Sequence, residues 1–559
     1  MNRRFLAFVG GFAGIAVAYF LAMRFVQNPE IHSLPYYTFR TLLRITLTLA
    51  ISLVWGISFG ILASTNKIAS LILIPFIDLL QSIPILGYFP AVIVFLISMF
   101  RGSQLAIELS AMMLLFTSMA WAIFFGVVGA VKGIPTNVEE SARTFGVSGY
   151  RYVRHVILPA ITPAVVAGAT LAWCDGWFFM IAAEYIEYAG TAYSVPGLGM
   201  YLAKASYVYN DLTLATVLLG LITALVLYIN SLTWHTLMDR ATRGTYKPVF
   251  RLDLSGVGQL GVVRNLGVRK WLHVGDRIHW PRSLAAASHR LRKYTRLEKA
   301  IAFALAMSIV VFGVAAVAKR LPDIDTIRKG FSDPPAGELA KLPMYVALTM
   351  GRLGIAYAIS LVLALGMGIL AAENKKFAAI FYPIYDIGQA VPILALFPIL
   401  FGVLRGAFGP SVGLELTAII VLVLDMIWYM FLNIVSAVKN IPSELNEVGR
   451  LFGLKGLRKV THLVIPTILP AIVTGSILSW GTGWNTIIFS EYMPYESTQT
   501  GKPLAVAGLG SYLDRAGYEY GNTVLLIFLL GVIATIVLSM EGLVWRRLLR
   551  RFERYRMEA

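Results

Sequence analysis

The sequence contains a single cysteine, Cys174, and charged residues make up only 14% of its 559 positions. One cysteine excludes an intrachain disulfide framework. No G-x-x-x-x-G-K-[ST] phosphate loop is present, so we expect any ATP hydrolysis to belong to other polypeptides. The seven histidines show no metal-ligand spacing, and no nucleophile–base arrangement is visible. The sequence therefore predicts no catalytic residues, no metal site and no cofactor bound by this chain.

Apolar residues are abundant instead. They make up 57% of the chain, and the mean hydropathy is +0.71. Soluble proteins contain about 45–50% apolar and about 25% charged residues, so this chain lies outside their range. The apolar residues form long runs, among them 5–23, 45–63 and 524–540, which are uncharged, and 106–131, in which Glu108 is the one charged residue. Each run approaches the roughly 20 residues that span a bilayer as a helix, which predicts an all-α polytopic membrane protein.

Positive charge is placed in a pattern that suits a membrane protein better than a nucleic-acid-binding one. The net charge is +18. Basic residues gather at the N-terminus, in the loop before the fifth apolar run and after the last run, whereas the alternate loops 27–37 and 184–211 carry few. Loops rich in Lys and Arg are retained in the cytoplasm. We therefore expect both termini in the cytoplasm and no nucleic-acid partner.

The chain contains an internal repeat. Asp78–Leu86 reappears as Asp386–Leu394 with a shift of 308 residues, and Val131–Ile186 reappears as Val438–Met493 with a shift of 307. In the longer pair about 25 of the 56 aligned positions are identical, which is too many for shared hydrophobicity alone. The second half is therefore a duplicate of the first.

Six spans are predicted in each half, about 12 in all. They lie near 5–26, 41–63, 69–100, 105–131, 158–183, 211–235, 300–318, 345–371, 377–403, 412–438, 465–489 and 522–545. Because six is even, both halves have the same orientation and form parallel repeats. The predicted division is a first transmembrane domain at 1–235, a cytoplasmic linker at 236–299 and a second transmembrane domain at 300–559. The linker has 14 Lys and Arg against 4 Asp and Glu, and we expect it to be a tether, with a small regulatory or lipid-sensing element as the alternative.

The loop between the fourth and fifth spans carries the most specific motif. In the first half it reads Glu140-Ser-Ala-Arg-Thr-Phe-Gly146 followed by Val156-Ile-Leu-Pro159, and in the second Glu447-Val-Gly-Arg-Leu-Phe-Gly453 followed by Leu463-Val-Ile-Pro466. Both copies resemble the "EAA…G…I-x-L-P" signature of the permease subunits of binding-protein-dependent ABC importers. Proline just before each motif suits a helix start, and Glu near that start is favoured by the helix dipole.

This resemblance implies which residues couple the chain to an ATPase and why. Small residues at the centre and end of the loop helix would let a partner approach the backbone closely, and the prolines would break the helix on entry to the fifth span. The coupling residues carried over from the motif are Glu140, Ala142, Gly146, Leu158, Pro159, Glu447, Gly449, Gly453 and Pro466.

The resemblance extends beyond the loop. Asp78–Pro90, Trp173–Glu184 and Gly197-Leu-Gly199, with their second copies, are similar to stretches of the nitrate, sulfonate, taurine and bicarbonate permease group. This resemblance implies a type I ABC importer fold in the plasma (inner) membrane of a prokaryote. It also implies two separate ATPase subunits, which hold ATP and Mg²⁺, and an extracytoplasmic substrate-binding protein as partners. Gln81 and Gln389 stand where that group commonly has arginine, which leaves the transported solute open.

Polar residues inside the spans are candidates for the translocation path. Asp78 follows the turn at 65–67 by about ten residues, which at 1.5 Å per residue places it and its copy Asp386 near mid-bilayer. Ionisable residues at that depth usually face a bundle interior or a water-filled path. Three neighbours, Gln81, Ser82 and Gln389, share the assignment, and Pro84 and Pro392 are expected to break the helix beside them. The alternative is that both aspartates cap helix ends and stabilise the bundle.

Further path candidates lie in the fourth and fifth spans. In the fifth span, Asp175 occurs in the first half only, where the second half has Thr482. In the fourth span, Asp425 stands where the first half has Ser118, so a path they line would be asymmetric. The tryptophans of the fifth span are also candidates, with packing or interfacial anchoring as the alternative. These four residues are Trp173, Trp177, Trp480 and Trp484.

The main alternative function is a secondary transporter of the major facilitator type, which also has two parallel six-helix halves and a basic central loop. Its usual G-x-x-x-D-R-x-G-R pattern is missing from the loop between the second and third spans, which reads Ala63-Ser-Thr-Asn-Lys-Ile68. That class also gives no reason for twin motifs between the fourth and fifth spans. The importer is therefore the favoured prediction, with the identity of its solute open.

Overall fold

A computed structural model describes residues 28–234 and 324–545, except for short gaps at 83, 102, 189–190, 210, 334–335 and 497–502, and isolated positions outside both ranges. The predicted spans near 5–26 and 300–318 and the linker at 236–299 lie outside the described residues. Each described half repeats the same order of elements. In the first half the main helices are α1 Leu34–Thr65, α2 Lys67–Ser82, α3 Ile85–Met99, α4 Gln104–Lys132, α5 Thr136–Thr144, α6 Leu158–Glu184, α7 Leu198–Ala203 and α8 Leu212–Ile229.

The second half contains a matching helix for each of these. They are α9 Leu342–Glu373, α10 Lys375–Ala390, α11 Ile393–Phe408, α12 Pro410–Lys439, α13 Ser443–Leu451, α14 Ile465–Glu491, α15 Leu509–Asp514 and α16 Thr523–Met540. One short antiparallel hairpin follows the fifth span of each half, and these hairpins are the strands described. They pair β1 Tyr185–Tyr188 with β2 Thr191–Ser194, and β3 Tyr492–Glu496 with β4 Pro503–Ala505.

Eight helices in the described residues are long and apolar enough to cross a membrane, and a bent pair, α10 and α11, raises the number to nine. The eight are α1, α4, α6 and α8 with their copies α9, α12, α14 and α16, some with a short extension at one end. An all-α polytopic membrane protein with two parallel repeats is therefore confirmed.

The third span of each half is broken at proline, as predicted. Helix α2 ends at Ser82 and α3 begins at Ile85, with Pro84 as its N-cap. In the second half α10 ends at Ala390, Pro392 is the N-cap of α11, and the two helices meet at 100°. Proline has no N–H to continue the helical hydrogen-bond pattern, so the helix ends there and the backbone changes direction.

The prolines before the fifth span do not break it, and that prediction is wrong. The helix runs from Tyr150 through Pro159 to Glu184, with a π-helical turn at Val153–Ile157. Val460–Val464 is the matching π turn before Pro466. A π turn widens the helix by one residue, which moves the preceding carbonyls away from the proline ring. The helix of the fifth span therefore begins within the preceding loop, at Tyr150 in the first half and at Gly456 in the second.

Within each half the core is formed by the second, fourth and fifth spans. In the first half these are α1, α4 and α6, which contact one another along their lengths. Gly56 and Gly60, four residues apart on α1, let the helices approach closely: a Cβ there would lie 2.7 Å from Ile123 and 2.8 Å from Val127. This is the small-xxx-small packing that membrane helices use when burial from water supplies no driving force.

Each half packs against the broken third span of the other half. Helices α6 and α8 pack against α10 and α11, and α14 and α16 pack in the same way against α3. At one such contact the backbone N–H of Ile85 donates to Oδ1 of Asn485 at 2.8 Å, which satisfies an amide that the proline break leaves open. The interface between the halves is therefore built from the most irregular backbone of the fold.

Candidate functional site

The loop between the fourth and fifth spans folds as a short helix in both halves, α5 and α13. Each begins directly after a proline, Pro135 or Pro442, as the sequence predicts. Glu140 and Glu447 are exposed on these helices. A short non-helical turn, at 145–149 or 452–455, joins each loop helix to the helix that continues through the π turn into the fifth span.

Each loop helix ends in an exposed apolar tip. Phe145 and Phe452, at equivalent positions, have relative exposures of 83% and 80%. Tyr150 and Leu457 match each other in the same way and are also largely exposed. Large apolar side chains exposed at the protein surface are covered either by another protein or by lipid. We refer to these four residues as the twin tips.

Gly146 and Gly453 end the loop helices in the left-handed conformation, with φ of +69° and +67°. The N–H of Val147 bonds to the carbonyl of Ala142, and that of Leu454 bonds to Gly449, which is the hydrogen-bond pattern of a Schellman motif. A Cβ at either glycine would meet no atom within 4 Å. Backbone geometry therefore favours glycine at these two positions, independently of any approach by a partner.

Ala142 and Gly449 are the small residues inside the loop helices. Both are buried, and a Cβ at Gly449 would lie 2.6 Å from Leu463, so glycine leaves room there for the turn before the fifth span. Gly449 also lines a pocket with Arg450 and Lys459, and the close approach by a partner that the sequence suggested for these two positions stays a prediction. Leu158, Pro159 and Pro466 are exposed at the start of that span.

The structure describes the surroundings of only some of the candidate path residues. Asp78 and Ser82 lie on α2 and Asp386 on α10, but their side chains fall outside the described part of the chain. Gln81 is partly buried, and Gln389 lines a cavity between the halves. Thr482 donates to the carbonyl of Ser479, within its own helix, at 3.0 Å.

The four tryptophans of the fifth spans pack inside the protein. Trp177 and Trp484 are fully buried, and Trp173 and Trp480 nearly so. Trp173 contacts Trp177 edge-on with centroids 6.0 Å apart, and Trp480 contacts Trp545 at 5.9 Å. These contacts are those of packed residues, and the path assignment of the tryptophans stays a prediction.

Asp175 and Asp425 do come together. They line the same cavity, one from each half, together with Gln389. The hydroxyl of Tyr429, one turn after Asp425, donates to Asp175 at 3.3 Å across the boundary between the halves. The chemical asymmetry that the sequence predicted is thus concentrated in one place.

A buried ionic network, which the sequence analysis missed, lies at the end of the bundle opposite the loop helices. Arg44 pairs with Glu184 through Nη1 and holds Glu108 with two nitrogens, at 2.9 and 3.0 Å. Glu184 also accepts from the Thr41 hydroxyl and the Gly199 amide, both at 2.7 Å. A carboxylate buried in a membrane protein is stable only with such a complete set of partners.

The same network is repeated in the second half. Arg352 pairs with Glu491 at 2.7 Å and holds Glu415 with two bonds of 2.7 Å, while Thr349 and the Gly510 amide complete the set. The sequence signal was available, because each charged residue recurs after 307 or 308 positions inside an apolar run. These networks fix the hairpins and the short helices α7 and α15 to the ends of the fifth spans.

The fold, the broken third spans and the twin loop helices define a duplicated membrane transport protein. The chain matches the family described as "Binding-protein-dependent transport system inner membrane component" twice, at residues 52–244 and 364–554. These matches cover more than half of the chain, which therefore belongs to that family.

Individual relatives are more distant. The nitrate import permease protein NrtB of Leptolyngbya laminosa is 24% identical over 204 residues, which is 36% of this chain and 67% of the relative. The bicarbonate transport system permease protein CmpB of Synechococcus elongatus is 28% identical over 186 residues, or 33% of this chain and 62% of the relative. A chain from inward-facing structures of the MetNI methionine ABC transporter aligns with a TM-score of 0.32 and 21% identity, over 39% of this chain and all of its own length.

Proposed function

We propose that this chain forms the translocation path of an ATP-driven importer for a small solute. In this proposal an extracytoplasmic binding protein delivers the solute, and two separate ATPase subunits, with their ATP and Mg²⁺, drive transport from the cytoplasmic side. The relatives named as permeases for nitrate import and bicarbonate transport support the class. A non-catalytic role follows, since no phosphate loop is present in the sequence.

The observation that carries the proposal is the pair of twin tips. One ATPase subunit would cover Phe145 and Tyr150, and a second would cover Phe452 and Leu457. Two equivalent docking surfaces suit a symmetric pair of subunits. Tyr150 and Leu457 lie in the helices that continue into the fifth spans, so an ATP-driven displacement at these residues would be carried into the bundle.

The test replaces the apolar tips without touching the loop backbone. A Phe145→Ala, Phe452→Ala variant should lose co-purification of the cognate ATPases, because truncating an interface anchor costs about 2 kcal/mol, or about thirtyfold in affinity. The matched control is Phe408→Ala, since Phe408 is similarly exposed but ends α11, outside the loop. Bulky substitutions at Gly146 or Gly453 are less informative, because they also strain the backbone.

Retention of the ATPases by the double variant, with transport unchanged, would contradict docking at the tips. Loss of the ATPases by the Phe408→Ala control as well would show that the effect is not specific to the loop helices. Membrane insertion is measured in parallel by the amount of protein in washed membranes.

The domain division is part of the same proposal. Residues 1–235 and 300–559 each act as one permease domain, and the basic segment 236–299 tethers them on the cytoplasmic side, where both termini also lie. Cutting the chain near 256–261 and expressing both pieces together should retain transport. If the two pieces assemble but transport fails, the linker has a role beyond tethering.

A further inference from the structure

A cavity of about 40 Å³ lies between the two halves, where α6 meets α10, α11 and α12. Its position is the one at which a solute passing between the repeats would be held, near the broken ends of the third span of the second half. The first half contributes Asp175 and Phe178, and the second contributes Tyr385, Asp425 and Trp428.

Two carboxylates face this cavity and no cation does. No Lys, Arg or His is among the lining residues, and neither aspartate forms an ion pair within the described residues. Asp425 accepts from Thr486 at 2.6 Å, but the bond from Tyr429 to Asp175 is 3.3 Å, longer than the usual 2.7–2.8 Å for O–H···O. Uncompensated carboxylates inside a membrane are costly and favour a positively charged occupant.

The remaining lining is aromatic. The rings of Tyr385 and Trp428 meet edge-on with centroids 5.6 Å apart, and Phe178 completes the wall. Aromatic faces attract organic cations in desolvated sites.

We infer that this cavity binds a positively charged nitrogen group, of ammonium or guanidinium type, carried by the transported solute. The inference deepens the proposed function and rests on it. An anion such as the nitrate or bicarbonate of the named relatives would face two carboxylates with no positive partner. Because Asp175 and Asp425 have Thr482 and Ser118 as their repeat mates, the site exists once in the chain and not twice.

Binding is measured on the purified full-length chain without ATPases, so that the outcome is independent of subunit docking. Methylammonium chloride is the probe, potassium chloride and sodium nitrate are the matched salts, and tryptophan fluorescence and the thermal midpoint are the readouts. Methylammonium should change both saturably, while the two salts should not. Asp175→Asn or Asp425→Asn should weaken the response about tenfold, since each removes a charge-assisted hydrogen bond.

Asp333→Asn is the control, because it removes an exposed carboxylate and should leave the response unchanged. Without ligand, the double Asp175→Asn, Asp425→Asn variant should melt no lower than wild type, since it removes uncompensated charge, whereas a purely structural role predicts a lower midpoint. Three results would each overturn the assignment: a methylammonium response in the double variant equal to that of wild type, no saturable methylammonium response in wild type, or saturable binding of nitrate.

A further outcome is that the aspartates only bind protons. In that case lowering the pH would change the fluorescence of wild type but methylammonium would not, and the inference would be wrong. Wild type should still co-purify with its ATPases in every case. If wild type does not co-purify with ATPases, the proposed function is wrong, and the methylammonium titration of the purified chain still decides whether the cavity binds a cation.

Discussion

Gly197 provides a sharp test of the buried ionic network. A Cβ at this residue would lie 2.1 to 2.4 Å from the carboxyl atoms of Glu184, far inside contact distance. The φ of Gly197 is 175°, which is extended backbone that any residue adopts, so alanine would suffer no backbone strain. The whole penalty of Gly197→Ala must therefore come from displacing the Glu184 carboxylate.

The size of the penalty follows from the contacts of that carboxylate. Displacement weakens the ion pair with Arg44 and the 2.7 Å bonds from Thr41 and Gly199. Breaking a buried ion pair costs about 3–5 kcal/mol, and a hydrogen bond to a charged group contributes about 1.5–3 kcal/mol. Because Arg44 keeps Glu108 as a partner, we expect Gly197→Ala to lower the free energy of unfolding by about 3 kcal/mol or more.

The assay is unfolding of the purified chain in mixed micelles, followed by tryptophan fluorescence as the fraction of denaturing detergent rises. Gly220→Ala is the matched control, because that glycine lies inside α8 with no atom within 4 Å of a new Cβ. It should be neutral or stabilising by about 0.5–1 kcal/mol.

A double-mutant cycle makes the test decisive. In a Glu184→Ala background, Gly197→Ala should cost almost nothing more, since the carboxylate it displaces is gone. If Gly197→Ala costs the same in both backgrounds, the clash with Glu184 is not its cause and the reasoning is refuted.

Three other changes test neighbouring features. Gly453→Asn should leave hydrogen-exchange protection of α13 near wild type while Gly453→Val lowers it, because Asn tolerates positive φ and a β-branched residue does not; equal protection in both would contradict the cap assignment. Arg352→Lys should destabilise the chain by about 2–3 kcal/mol in the micelle titration, since lysine cannot hold Glu415 with two bonds, and a loss below about 0.5 kcal/mol would argue against the network. Lys459→Met should cost less than about 1 kcal/mol in the same titration, because its pair with Glu373 is exposed to 29% and 39%, and a larger loss would show a buried role.

The repeat and the membrane class were predictable because they depend on composition and on long apolar runs, which tertiary contacts do not change. The break at Pro84 and Pro392 was predictable for a similarly local reason, since a missing N–H cannot be replaced within the helix. The prediction at Pro159 was wrong because proline inside a helix has two possible outcomes. It ends the helix, as at Pro84, or a π turn upstream accommodates the ring and the helix continues, as in the fifth span.

Pairings between distant residues were not predictable in the same way. The meeting of Asp175 with Asp425 joins two positions 250 residues apart in different halves, and no periodicity records it. The burial of Ala142 and Gly449 depends on how α5 and α13 lie against the fifth span, which spacing alone does not set. The buried role of Arg44 and Arg352 could have been predicted, because a charge that recurs at the same place in two apolar runs indicates a buried ionic partner in both.

Because each half packs against the broken third span of the other, the two halves must be synthesised before this packing is complete. The Ile85 amide finds its acceptor on Asn485, 400 residues later in the chain. At about 5–20 residues per second, the ribosome needs about 20–80 seconds to supply that acceptor. During this interval the first half resides in the membrane with the packing faces of α3 uncovered, open to competing chains. A single polypeptide ensures that the partner which ends this exposure arrives at the same translocon, in equal amount, every time.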